Sequence, residues 1–191
     1  MATHSILWRR IDVAGRESAR LVRLDDGWLL RGAAMFAWED MHTALDYEIR
    51  CDAGWRTRRC QVAGRVGAVP IDVSLDADAA SRWTLNGAPC PGVDGAVDID
   101  LNFSPSTNLL PIRRLALAPG GSASVTAAWL RFPSFALEPL VQTYSRLDER
   151  TYRYESAGGR FVRDLIVDAD GFVTSYPGFW EAVPASSHPE I

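Results

Sequence analysis

Apolar and polar residues alternate along most of this chain with a period of two. The pattern is clearest from Leu45 to Cys51. Leu45, Tyr47, Ile49 and Cys51 share one face, and Asp46, Glu48 and Arg50 share the other. Such alternation marks a strand with one buried side. Comparable strands are expected at 5–11, 19–24, 28–36, 66–75, 82–85, 97–103, 122–132, 140–147, 151–156, 161–167 and 172–176. Pro70 should place its strand at an edge or a bulge. Residues 39–43 read as a loop or a single helical turn. Turn signals separate the strands: Asp25-Asp26-Gly27, Asn86-Gly87, Pro119-Gly120-Gly121, Gly158-Gly159 and Asp168-Ala169-Asp170-Gly171. Short strands at roughly 8–12-residue spacing predict an all-β sandwich or barrel.

Two hairpins allow a register to be written down. With Asp148-Glu149-Arg150 as the loop, Tyr144 opposes Tyr154 and Arg146 opposes Tyr152. Gln142, Tyr144, Tyr152 and Tyr154 then line one face. With Asp52-Ala53-Gly54 as a three-residue loop and Gly54 left-handed, Cys51 pairs with Trp55, and Tyr47 opposes Arg59. Thr57, Arg59 and Gln61 would then continue the inward face, which suits a part-polar cavity. A slip by one residue would reverse that face.

One stretch interrupts the rhythm, Ser104-Pro-Ser-Thr-Asn-Leu-Leu-Pro-Ile-Arg-Arg-Leu115. Pro105 holds Ser104 extended. Thr107 and Asn108 are good caps, and Pro111 fits the first turn of a short helix through Arg114. The adjacent Arg113 and Arg114 must point in different directions. The segment reads either as a structural crossover whose arginines pair with acids or as a wall facing a ligand.

Composition narrows the chemistry. The 191 residues suit one domain, or a duplicated one divided near 88–95, with a mobile tail at 184–191. The net charge of −4 argues against a nucleic-acid surface. Every one of the 20 basic residues is Arg, which excludes a phosphate-binding loop lysine and a Schiff-base lysine. Cys51, Cys60 and Cys90 are few, odd in number and lack CxxC spacing, so no metal framework or disulfide scaffold is expected. The amino terminus carries no signal-peptide pattern, and no apolar run reaches the ~20 residues of a membrane span. These features predict a cytoplasmic protein. No histidine has a partner at metal-ligand spacing, and His42 is the one histidine placed for catalysis. Asp98 and Asp100 lie on one strand face and read as an acid/base pair or as partners for Arg113 and Arg114.

A family resemblance covers nearly the whole chain. Its specific part is Thr107-Asn-Leu-Leu-Pro-Ile-Arg-Arg114. Trp8-Arg9, Tyr47 to Thr57, Trp83, Asp98 to Leu101, Gln142-Thr-Tyr144, Tyr152-x-Tyr154, Asp168 to Val173 and Tyr176-Pro177 accompany it. With these blocks the chain resembles a bacterial family described as glycolipid-binding, formerly a domain of unknown function. The resemblance implies a large curled antiparallel sheet, an open or incomplete β-barrel, with one or two short helical turns. It implies an amphipathic, glycolipid-like ligand, and the expectation is a binding module that encloses it, without catalysis or cofactors. The expected polar lining is Arg59, Asp100, Asn108, Arg113, Gln142 and Tyr144. Tyr47, Trp55 and Tyr154 are the expected apolar faces. An enzyme using Asp98 or Asp100 and an interaction protein with a solid core are the alternatives.

Overall fold

The period-two alternation folds as one curled sheet. A computed structural model describes residues 3–184; most of the expected tail, 185–191, lies outside the described residues. The strands are β1 Thr3–Arg10, β2 Gly15–Arg23, β3 Gly27–Trp38, β4 Met41–Asp52, β5 Thr57–Val66, β6 Val69–Ala77, β7 Trp83–Leu85, β8 Ala88–Pro89 and β9 Asp98–Leu101. A single short helix follows, α1 Leu109–Leu115. The second run of strands is β10 Ser122–Arg131, β11 Ala136–Arg146, β12 Thr151–Ser156, β13 Phe161–Val167, β14 Val173–Tyr176 and β15 Trp180–Ala182.

All of these strands belong to one sheet, ordered β8-β7-β6-β5-β4-β3-β2-β1-β15-β14-β13-β12-β11-β10-β9. Each half is a meander, and β1 joins them by pairing with β15. Every pairing is antiparallel except that of β9 with β10. The sheet is not closed. Its curl brings the β9 edge against the start of β5, where the Thr57 amide donates to Val97 at 2.9 Å and the Ile99 amide to the Thr57 hydroxyl at 3.2 Å. The result is an open, barrel-like all-β fold.

The predicted inward face of β4 is the observed one, with Leu45, Tyr47, Ile49 and Cys51 all buried. The Tyr144–Tyr154 and Arg146–Tyr152 pairs also stand as read. The residues expected as a loop or helical turn at 39–43 are instead a tight turn at Glu39 and Asp40, with β4 beginning at Met41. The proposed 66–75 strand is split by a turn after Val66. Pro70 sits where β6 has no outer neighbour, because β7 pairs only with residues 75–77. A proline costs no ladder bond there.

The β4–β5 register differs from expectation. Cys51 pairs with Thr57 and Arg50 with Arg59, across a bulge. Tyr47 therefore opposes Val62 rather than Arg59. The turn is longer than a three-residue loop because the Asp52 carboxylate accepts from the amides of both Gly54 and Arg56. The left-handed position falls on Trp55 (φ 68°), not on Gly54. The odd offset reverses β5: Cys60 and Val62 face inward, and Arg59 and Gln61 face solvent.

The stretch that broke the alternation lies inside the curl. A 3-10 turn over Ser106–Asn108 leads directly into α1. Ser104, Ser106, Thr107, Asn108, Leu109, Leu110 and Ile112 are all buried. Leu109, Leu110 and Ile112 each contribute about 1.5–3 kcal/mol by leaving water. Asn108 does not cap α1 with its side chain; its amide donates to the Pro105 carbonyl at 3.2 Å instead. Ala116 (φ 45°) ends the helix in the left-handed conformation.

Candidate functional site

The buried insert divides the interior into a packed middle and two open ends. Four hydroxyl- or carboxyl-bearing side chains pin it to the sheet in the middle. The Tyr47 hydroxyl donates to Glu17 Oε1 at 2.6 Å and lies 2.7 Å from Ser106 Oγ. The Ser104 hydroxyl donates to the same Glu17 oxygen at 2.5 Å. Gly32 makes this possible, since a Cβ there would collide with the Tyr47 hydroxyl. Burial pushes the Glu17 carboxyl up to about 8, against the opposing pull of the Ser104 and Tyr47 hydrogen bonds and the Arg10 charge. Burial thus favours the neutral form of Glu17.

Above this layer, at the end where the 11–14, 39–40, 132–135, 157–160 and 177–179 turns gather, lies a cavity of about 500 Å³. Phe103, Ser104, Pro105 and Asn108 of the insert form its floor. One wall is an aromatic cluster in which Phe161 lies 5.8 Å from Phe179 and 6.0 Å from Tyr154, and Tyr176 lies 5.4 Å from Phe179. The facing wall carries Trp38 and Phe132, edge-to-face at 5.1 Å. Trp129 and Trp180 complete the lining. Aromatic surface broken by a few directed polar groups is the usual make-up of a small-molecule site, and the volume falls within the ordinary range of about 300–1,000 Å³.

Polar groups, among them Asp100, Asn102, Asn108 and Ser156, break the aromatic lining. Asp100 projects from β9, and its Oδ2 accepts from the Gln142 amide at 2.5 Å. The same amide donates to the Tyr154 hydroxyl at 3.1 Å. Asp100 Oδ1 has no protein partner among the described residues and is not among the atoms sealed from solvent. Burial pushes this carboxyl up to about 6, with Gln142 pulling it down. The Tyr144 hydroxyl, one layer behind, donates to Asn108 Oδ1 at 2.9 Å. At the rim Arg10 is clamped to Asp12 at 2.7 and 3.0 Å, between the rings of Phe36 and Trp180.

Of the expected residues, Asp100, Asn108 and Tyr154 line this cavity, and Gln142 and Tyr144 stand behind them as hydrogen-bond partners of Asp100 and Asn108. Tyr47 is a core residue that fastens the insert. Arg59 is a correction: it faces solvent, 3.9 Å from Asp76, because of the register described above. Trp55 and Arg113 sit together at the opposite end, the guanidinium 5.0 Å from the indole centroid. Asp98 and Asp100 share a face but not a role. Asp98 is buried and held by Arg114 at 2.9 and 2.5 Å. His42 is exposed on β4. Sequence reasoning missed Arg10, Trp129, Tyr176, Phe179 and Trp180. Trp8-x-Arg10 was the available signal, since a buried Trp8 places Arg10 on the inward face. The others could not be told from core aromatics.

Among the described residues no group of His, Cys, Asp and Glu is placed to hold a metal ion, and no helix is long and apolar enough to cross a membrane. Fold and cavity together define a class: curled, incompletely closed β-sheets with an aromatic-lined cavity at one end. Residues 5–182 match the family model described as "Putative glycolipid-binding", and the chain belongs to that family. It is also similar to a DUF1089 family protein of Pseudomonas aeruginosa, solved by crystallography. The two share 31% identity at a TM-score of 0.76, over 95% of this chain and 92% of that one. No curated protein matches the chain.

Proposed function

We propose that the protein is a binding protein without catalytic activity, which holds an amphipathic small molecule of the glycolipid type in the upper cavity. One observation carries this reading: a cavity walled by aromatic rings that keeps a carboxyl oxygen of Asp100 unpaired on its surface. Sugar C–H faces stack on rings such as Trp129 and Trp180, and hydroxyls donate to Asp100. An acyl chain gains about 0.8 kcal/mol for each CH₂ it buries along the Phe161–Tyr176–Phe179 wall. The family description supports the same ligand class. The test is mass spectrometry of lipid extracted from protein purified from its own host. Trp129→Ala should lose the bound species while melting close to the wild type. Equal retention by Trp129→Ala and the wild type would remove the cavity from consideration.

A second reading has one observation in its favour. Asp100 is an acid titrating near neutrality inside a cavity, which is the requirement for general acid/base work. Asp98 is unsuited to that role because Arg114 occupies both its oxygens. Turnover of a glycoside or ester that disappears in Asp100→Asn would establish an enzyme in place of a carrier.

A further inference from the structure

The opposite end of the curl holds a second cleft, of about 730 Å³, that plays no part in the reading above. Trp55, Arg113, Arg146, Arg150, Tyr152 and Gly171 are among its lining residues. Of the seventeen arginines elsewhere, ten (Arg9, Arg10, Arg31, Arg50, Arg58, Arg59, Arg82, Arg114, Arg131 and Arg153) lie within a salt bridge among the described residues. Among the described residues, none of the three arginines in this cleft does.

Two of the three are fixed in place. The Arg113 chain runs beside Gly171, where a Cβ would come within 3.2 Å of its Cδ, and its guanidinium rests on Trp55. Trp55 is itself backed by Trp28 at 4.3 Å and held in the left-handed conformation. None of the Arg113 donors makes a protein hydrogen bond among the described residues, so a rotamer-rich side chain is ordered while its hydrogen-bonding capacity stays free. Arg146 is anchored by donating to the carbonyls of Leu117, Asp148 and Glu149 at 2.7, 3.0 and 2.7 Å. Carbonyls position that cation without cancelling its charge. Arg150 adds a third guanidinium, exposed and uncommitted. The acids of the lining are Glu149 and Asp168. Asp168 is already engaged by His4 and by the amides of Asp170 and Phe172.

We infer that this cleft is a binding site for a phosphate-type oxyanion, separate from the upper cavity, with Arg113 and Arg150 as the donors and Arg146 supplying fixed charge. The Arg113 guanidinium, ordered on Trp55 with its fork free, matches a tetrahedral oxyanion two bonds at a time, and the exposed Arg150 can close on it from the loop. The oxyanion belongs either to a soluble phosphate ester or to a lipid headgroup, and the two are separable.

The test follows guanidinium NMR signals of the full chain at low salt. Inorganic phosphate and glycerol phosphate are titrated, and phosphatidylcholine vesicles with and without phosphatidic acid are added in parallel. Saturable binding of the soluble phosphates marks a soluble ester; binding only of vesicles carrying phosphatidic acid marks a headgroup. In either case Arg113→Gln and Arg150→Gln should each weaken binding about tenfold, the loss of one charge-assisted pair. Arg16→Gln, which removes the same charge from an exposed site on β2, should leave it unchanged, as should Trp129→Ala. Arg150→Gln lies in a surface loop and keeps the test available if Arg113→Gln fails to fold. Absence of binding by every probe, or equal binding by wild type and both cleft variants, would overturn the site.

Discussion

The packed middle of the molecule holds Glu17, and its upper mouth holds Asp100. Both are carboxyls drawn away from water, and both are pushed up by burial. Their surroundings differ. Glu17 accepts from the hydroxyls of Tyr47 and Ser104, which come from the sheet and from the insert, on one oxygen, while its other oxygen is sealed in the core with no space beside it for a ligand and no partner among the described residues. Asp100 has one oxygen occupied by Gln142 and the other open to a cavity. The difference teaches how to separate a structural acid from a candidate functional one. A buried acid whose partners tie two parts of the chain together is a fastener. A buried acid with an unspent oxygen facing empty space is placed for something that arrives later.

Substitutions around the middle should act on stability, and those at the mouth on ligand and pH behaviour. Arg114→Leu should have the largest effect. It strands the buried Asp98 charge at the lower end of the insert and should cost about 3–5 kcal/mol in urea unfolding. Full recovery of that loss in the Arg114→Leu/Asp98→Asn double variant would confirm the cause. Tyr47→Phe removes the phenolic donor to Glu17 and should cost about 1–3 kcal/mol, with unchanged ligand content per folded molecule. A large loss of ligand without loss of stability would move Tyr47 from fastener to contact.

Asp100→Asn tests the mouth through pH. The folded state holds the Asp100 proton more tightly than the unfolded chain does. Its contribution to stability is therefore greatest below the ordinary value of 3.8, declines as pH rises towards about 6, and is level above that. Melting curves of Asp100→Asn should lack this part of the pH dependence. An unchanged profile would show that the carboxyl is better solvated than its position implies. Arg59→Ala should be the smallest change, within about 0.5 kcal/mol and without effect on ligand content, because its side chain faces solvent.

Much of this division was legible in the sequence, and the failures have physical causes. The inward face of β4 and the Tyr144–Tyr154 pairing follow from alternation and loop length alone. The β4–β5 register does not, because it depends on a tryptophan adopting a conformation that glycine favours. Stacking on Trp28 and the hydrogen bonds to Asp52 hold it there, and both are invisible in a linear pattern. The three-residue shift, being odd, then turned Arg59 outward. The insert was legible as a break and as a short helix. Its position inside the curl was not, because Ser104, Ser106 and Asn108 look like surface residues until Glu17 and Tyr144 are seen to satisfy them. The mouth was half legible: Asp100, Gln142 and Tyr154 stood out by polarity on strand faces and Asn108 as a polar residue of the insert, whereas Trp129 and Trp180 carry no such mark.

The floor of the upper cavity comes from one short segment of chain, through Phe103, Ser104, Pro105 and Asn108, stitched to the sheet by side chains. Container depth in this architecture is therefore adjustable at one place, like a movable false bottom. Trimming or bulking a handful of neighbouring positions would resize the hold for shorter or longer cargo while every strand of the hull stays as it is.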